Sequence, residues 1–421
     1  MSLPLLAGRS AVAPLLLALS AAAGALALGA CPTRSPIIVE GEGETGEGEG
    51  EGEGGAAAGE GEGEGEGPVD TRVCGTLAVT ASAPIAMVVP RTRHAAVQLS
   101  DGKILLAGGS DADSVSVSSA ELFDPSTSAF TAVASMKHAR YDFALAAVGA
   151  NQAVAFAGFN NDPNDVASNG DLTSVEIFDE AANAWSDGPA LTEPRDGLSA
   201  FTLGSGDVLV LGGQENSVSI PQEVFLFGAG DSSLTTAGNI GVHGTAQTAS
   251  LLSTGDAIIA GGFFTQPLDL VDLVDSVGDV TTAPRIPNAR RSACTVNDDR
   301  GSALFFGGFA QGELDDVERY DPTLHTWSAA GALTTPRAGC GAVALSSCMA
   351  LVCGSFASTG CDAWDFAKDI AVPTTIDTGA NFSFTITQID ATHALVAGGT
   401  VNDFDVVPTA IVVTLAPAPA P

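Results

Sequence analysis

Ile104-Leu105-Leu106-Ala107-Gly108-Gly109 is a four-residue apolar run closed by two glycines, and the chain repeats it. It returns as Val208-Leu209-Val210-Leu211-Gly212-Gly213, Ile258-Ile259-Ala260-Gly261-Gly262, Leu304-Phe305-Phe306-Gly307-Gly308 and Leu395-Val396-Ala397-Gly398-Gly399. Two copies are degenerate, Phe156-Ala157-Gly158 and Leu351-Val352-Cys353-Gly354. The closing glycines stand at 109, 158, 213, 262, 308, 354 and 399, with spacings of 49, 55, 49, 46, 46 and 45. A period of this length marks a repeat architecture, in which each unit buries its apolar face against its neighbours.

Other positions recur in phase. An arginine precedes each inner apolar strand at Arg91, Arg140, Arg195, Arg291 and Arg337, 17 or 18 residues before the closing glycine. A polar loop follows the glycines, and then an acidic-aromatic strand: Glu121-Leu122-Phe123-Asp124-Pro125, Glu176-Ile177-Phe178-Asp179 and Glu318-Arg319-Tyr320-Asp321-Pro322. A last strand carries Phe130, Trp185 or Trp327. Each unit therefore reads as four short strands with turn signals between them. The first unit spans Ala95–Leu99, Ile104–Ala107, Ala120–Phe123 and Ala129–Ala134. The order arginine, glycine pair, aromatic-Asp-Pro and tryptophan resembles the kelch family of β-propellers, over the whole of residues 71–415. The fourth and seventh units depart from it, with His243-Gly244 and Asn381 in the arginine's place.

The resemblance implies an all-β fold, a seven-bladed propeller of four-stranded antiparallel blades. The last glycine pair leaves room for only one more strand, Ala410 to Leu415. The strand at Gly75–Ala81 is therefore expected to supply the outer strand of blade seven and close the ring without an exposed edge.

Three segments fall outside this domain. Residues 1–30 carry an Ala/Leu-rich run from Ala11 to Ala30 that ends in Leu28-Gly29-Ala30-Cys31. It resembles the lipobox of bacterial lipoproteins, which implies a signal peptide cut before a lipid-bearing Cys31. Pro32 stands where an inner-membrane retention Asp would be, which favours the outer membrane. Residues 31–70 hold a linker whose stretch from Glu40 to Gly67 carries 11 Glu. Such a chain cannot bury enough surface to fold and extends by self-repulsion. Residues 416–421 are an Ala-Pro tail.

The balance of 50 acidic against 16 basic residues, net −34, argues against nucleic acid and against docking on anionic lipid by charge. The expected membrane contact is the N-terminal lipid alone, on a monomer. Cysteine usage fits an oxidising compartment: besides Cys31 there are Cys74, Cys294, Cys340, Cys348, Cys353 and Cys361. A two-residue turn at Ser346-Ser347 would set Cys340 opposite Cys353 and suit a disulfide between them.

The search for chemistry yields little. No nucleophile-elbow, zincin or P-loop motif occurs, and the five histidines lie in five different repeats. Galactose oxidase, a kelch-like propeller, needs tyrosines with histidines at its copper, one tyrosine cross-linked to cysteine; only Tyr141 and Tyr320 exist here. The loop from Phe159 to Thr173 is rich in Asn and Asp, but lacks EF-hand spacing and reads as solvated. Neither cofactor nor metal is expected. The five repeat arginines are the candidate ligand-binding rim, since guanidiniums near one axis can grip an anion. The competing reading makes them consensus residues that tie the blades together. Phe263 and Phe264 could present aromatics to a sugar or a protein. The expected function is a lipid-anchored envelope module binding a protein or glycan. The alternative is a periplasmic carbohydrate-active enzyme, akin to the kelch-type sialic acid mutarotase.

Overall fold

The computed structural model describes residues 77–165, 169–215, 219–402 and 405–417. The expected signal peptide, Cys31, the linker, Cys74 and residues 418–421 lie outside them. The described residues contain strands and no α-helix.

Seven antiparallel blades follow one another among the described residues, six of them four-stranded sheets and the seventh four strands joined by a short fifth, and their order is the order of the repeats. Blade one comprises Ala95–Gln98, Ile104–Ala107, Ala120–Asp124 and Ala129–Val133, each within a residue of expectation. Its second strand is buried along its whole length, whereas its inner strand is only partly buried. A strand covered on both faces must read as a continuous apolar run. That is why the runs before the glycines mark the repeat so clearly. Seven separate apolar clusters form the core, and each fills the interface between two adjacent blades. The consensus aromatics stand directly opposite one another on the third and outer strands: Phe123 and Phe130, Phe178 and Trp185, Tyr320 and Trp327. Their ring centroids are 5.0, 5.2 and 5.1 Å apart. The aspartate of the same motif caps the turn between those strands, as Asp124 Oδ1 accepts from Ser126 N and Asp321 Oδ1 from Thr323 N.

Ring closure follows the expected scheme. Blade seven takes its inner strands from Thr385–Asp390 and His393–Ala397, its third from Thr409–Pro417 and its outer strand from Leu77–Ala81. The third strand thus runs past Leu415 into the expected tail. The N-terminal strand pairs antiparallel with it, Val79 against Leu415 and Ala81 against Val413. After a break, Ile85–Ala86 rejoins the same strand opposite Ala410 and Thr409.

The glycine pairs hold neighbouring blades together. Gly108 and Gly109 both have positive φ, 60° and 97°. A Cβ on Gly108 would sit 2.6 Å from the carbonyl oxygen of Arg140 in the next blade, and one on Gly109 would sit 2.5 Å from that of Thr92. Only glycine lets the chains approach so closely. The Gly109 N–H donates to the Arg140 carbonyl, and Gly158 to Arg195, Gly262 to Arg290, Gly308 to Arg337 and Gly399 to Arg91 repeat the bond.

The disulfide expectation is corrected. Leu345 N donates to Met349 O, so the hairpin loop is one residue longer than a Ser346-Ser347 turn. Cys353 consequently faces Gly341 rather than Cys340. A one-residue slip in register turns a side chain to the other face. Cys353 instead bonds Cys361 on the adjacent third strand, Cα to Cα 4.1 Å. Cys340 bonds Cys294, one repeat upstream, and so joins the inner edges of blades five and six. Cys348 is also disulfide-bonded.

Candidate functional site

The repeat arginines are not a rim. Arg91, Arg140, Arg195 and Arg337 are buried, and each points into its own blade. Arg91 Nη1 donates to Gly108 O at 2.7 Å and Ser119 O at 2.8 Å, while Nε donates to Glu121 Oε1 at 3.1 Å. Arg140 makes the same set, with Nη1 to Ala157 O at 2.7 Å and Nη2 to Glu176 Oε1 at 2.6 Å. Burial pulls the pKa of both guanidiniums down, and the paired glutamate offsets only part of that fall. Each arginine therefore satisfies the carbonyl that the glycine turn leaves unpaired, and balances the acid of the third strand. Combined with its backbone carbonyl, which takes the preceding blade's glycine N–H, one residue ties three strands in two blades. The consensus reading of these residues holds; the anion-gripping ring does not.

In blade five that position belongs to Arg290, whose Nη1 donates to Gly307 O at 2.7 Å and Nη2 to Asp316 Oδ2 at 2.6 Å. Arg291 is thus corrected from a repeat position to its neighbour. His243 does the arginine's work in blade four, with Nδ1 3.0 Å from Gly261 O and Nε2 3.2 Å from Asp272 Oδ2.

Beyond the arginines the chain crosses the mouth of the ring, on the face that carries the glycine pairs. Here each blade places one residue in the left-handed region: Arg93, Asp142, Gly197, Ala246, Ser292, Gly339 and Ser383, with φ between 50° and 67°. Their backbones link from blade to blade. Arg93 N donates to Ser383 O, Asp142 N to Arg93 O, Gly197 N to Asp142 O, Ser292 N to Ala246 O and Gly339 N to Ser292 O. Five of the seven are not glycine, and left-handed backbone costs an ordinary residue about 1 kcal/mol or more. The bonds around the collar offset that cost.

The collar divides the mouth into two chemically different halves. Blades four to seven supply an aromatic arc. Arg291 Cζ lies 5.0 Å from the ring centres of both Phe263 and Phe309, sandwiched between them. Phe309 is 6.3 Å from Phe356, and Phe356 is 5.8 Å from Phe382. Phe264, beside Phe263, is 54% exposed and Phe356 is 44% exposed, among the few large apolar side chains left in water. Blades one to three supply charge. Arg93 lies 3.9 Å over the Tyr141 ring and pairs with Asp142, Nε to Oδ1 at 3.1 Å. Asp196 sits next to these groups with its Oδ1 buried and unbonded among the described residues. Burial first, then the charges of Asp171 and Asp142, push the Asp196 carboxyl up to about 7, with Gln214 and Arg93 offsetting only part. Sequence reading named Phe263 and Arg291 but missed Asp196, Phe356 and Phe382, because the mouth has no consensus residue type.

The histidines stay apart. His94 is buried against Thr385 and its pKa falls to about 3 through burial and the charge of Arg91. His138 meets Asp165 of the Asn/Asp-rich loop, which also accepts from Asn160. Among the described residues no three His, Cys, Asp or Glu gather as metal ligands.

A kelch-motif family model matches residues 91–137. No curated protein matches the chain in sequence. The chain is similar in structure to a fungal alcohol oxidase of the AA5 family solved in complex with copper, with a TM-score of 0.60 and 13% identity over 80% of this chain and 76% of that one. It is also similar to the solved structure of YjhT, with a TM-score of 0.50 and 12% identity over 76% of this chain and 98% of that one. At such identities the likeness carries the fold alone. The residues present do not fit a copper centre of the galactose oxidase kind. Tyr320 is buried in blade five beside His325 at the third-to-outer turn, and Tyr141 lies at the mouth with Arg93 as its neighbour. The repeat pattern, the matched motif and the seven blades agree: this chain is a kelch-type seven-bladed β-propeller.

Proposed function

We propose that this propeller is a binding module of the cell envelope, held by a lipid on Cys31 and taking a protein or glycan partner at the mouth that carries the glycine pairs. The observation that supports this is the aromatic arc from Phe263 to Phe382, with Phe264 and Phe356 exposed. Exposed aromatics mounted on rigid blades give large contact area at small entropic cost. The test is capture of envelope proteins and glycans by wild type and by the Phe264→Ala, Phe356→Ala double variant. Loss of capture with an unchanged melting temperature supports the reading; equal capture overturns it. The anchor is tested separately by protease shaving of intact cells with a Cys31→Ala control.

A second reading, a carbohydrate-active enzyme, is favoured by one group. A partly buried carboxyl that titrates near neutrality beside other charged groups is suited to general acid–base work. Asp196 is that group, and Asp196→Asn should abolish any mutarotase or isomerase activity on sugars while leaving arc-dependent capture intact.

A further inference from the structure

A cavity of about 440 Å³ opens at the seam of the ring, where blade seven meets blade one. Register places His393 opposite Thr414, and Thr414 opposite Thr80, so the three stand side by side across one face of blade seven. All three line the cavity, with Ser82 from the N-terminal segment and Ser128 from the adjacent turn of blade one. His393 Nδ1 is 2.9 Å from both oxygens of Asp390. With Nδ1 engaged by Asp390, the other ring nitrogen, Nε2, is left to meet a hydroxyl, which can both donate and accept. The walls between these groups are apolar, from Ile389, Val412 and Pro125. Among the described residues no lysine or arginine lines the cavity, and the one carboxylate there is engaged by His393. An anion meets no described lysine or arginine there, and a cation would have to compete with the ring of His393 for Asp390. Hydroxyls, one ring nitrogen and apolar walls complement a ligand that carries many hydroxyls on a carbon frame. The volume lies within the ~300–1,000 Å³ of ordinary ligand sites.

We propose that the seam cavity binds a neutral, hydroxyl-rich ligand of one or two sugar rings, and that its occupancy fastens the two ends of the propeller. Thr80 belongs to the closing strand, Ser82 follows it and still donates its N–H to Val412 O, and Thr414 belongs to the strand they pair with. A ligand that touches both binds the closed ring and not the open one, and so stabilises closure by mass action. This site lies away from the aromatic arc and stands or falls independently of it.

The test is calorimetric titration of the full-length protein with galactose, N-acetylglucosamine, lactose and sucrose, alongside hydrogen exchange at residues 77–81. The expected result is saturable binding of at least one, weakened about tenfold or more by His393→Ala and by the near-isosteric Thr414→Val. Phe356→Ala should leave it unchanged. Bound sugar should slow exchange in the closing strand. Three results overturn the proposal: no saturable binding by any of the four sugars, binding indifferent to both seam variants, or binding lost with Phe356→Ala instead. The threonine variant keeps the test meaningful if His393→Ala fails to fold.

Discussion

Arg140→Met tests the claim that the repeat arginines are structural. Methionine keeps the long apolar stem and removes the guanidinium. Four bonds go with it: to Ala157 O at 2.7 Å, Ser174 O at 3.0 Å, Ser174 Oγ at 2.9 Å and Glu176 Oε1 at 2.6 Å. Breaking a buried ion pair by removing one partner costs about 3–5 kcal/mol, because the other charge is left in the interior. Glu176 is not wholly stranded, since it still accepts from Lys137 N at 2.6 Å and His138 N at 3.1 Å. The expected loss is therefore near the lower end, about 3 kcal/mol. Adding Glu176→Gln to the Arg140→Met variant removes the orphaned charge and should recover at least about 1 kcal/mol, although Glu176→Gln alone destabilises. Urea unfolding of the four proteins of this cycle gives the numbers. A cost below about 1 kcal/mol for Arg140→Met, or strictly additive single effects, would refute the pairing argument and return these arginines to the list of ligand-binding candidates.

Asp196 predicts a pH dependence. Its folded pKa of about 7 lies above the roughly 3.9 of an unfolded aspartate, so between those values the folded state holds a proton that the unfolded state releases. Stability should fall as pH rises through that window, and Asp196→Asn should flatten melting temperature between pH 5 and 8; an unchanged slope would remove Asp196 as the cause. Two of the disulfides should differ in worth: closing 46 residues, Cys294–Cys340 should contribute about 4 kcal/mol, against about 2.5 for the 8-residue Cys353–Cys361, as paired Ser variants in urea would show. Val79→Asp sets a carboxylate against the apolar cluster of blades six and seven and should loosen the closing strand. The exposed edge of residues 409–417 should then drive concentration-dependent dimers on size exclusion; a monomeric variant would show that another element protects that edge.

Much of the fold was legible because burial on both faces forces apolar runs, and close blade contact forces glycines. Seam closure was legible by counting strands. What failed turned on single residues. Arg290 and Arg291 are adjacent and identical, so composition cannot say which enters the blade. The glycine spacing misleads by one because Gly354 fills the first position of its pair, with Arg337 Nη1 on its carbonyl, and Ser355 fills the second. The disulfides failed for the same kind of reason, a turn longer by one residue. The mouth was the least legible part. Its defining property is a backbone conformation shared by Arg, Asp, Gly, Ala and Ser, and no residue alphabet encodes it.

That collar has a consequence for how such a molecule can change. The hydrogen bonds that link these seven positions run between main-chain groups, so they impose no identity on the residues that stand there. Residues 93, 142, 197, 246, 292, 339 and 383 can be exchanged one at a time, with small polar residues that tolerate left-handed backbone preferred. The blades and their arginines would be unaffected. Recognition and stability are inherited through different atoms of the same residues, which leaves the mouth free to be rewritten, by selection or in a seven-position library, on an unchanged frame.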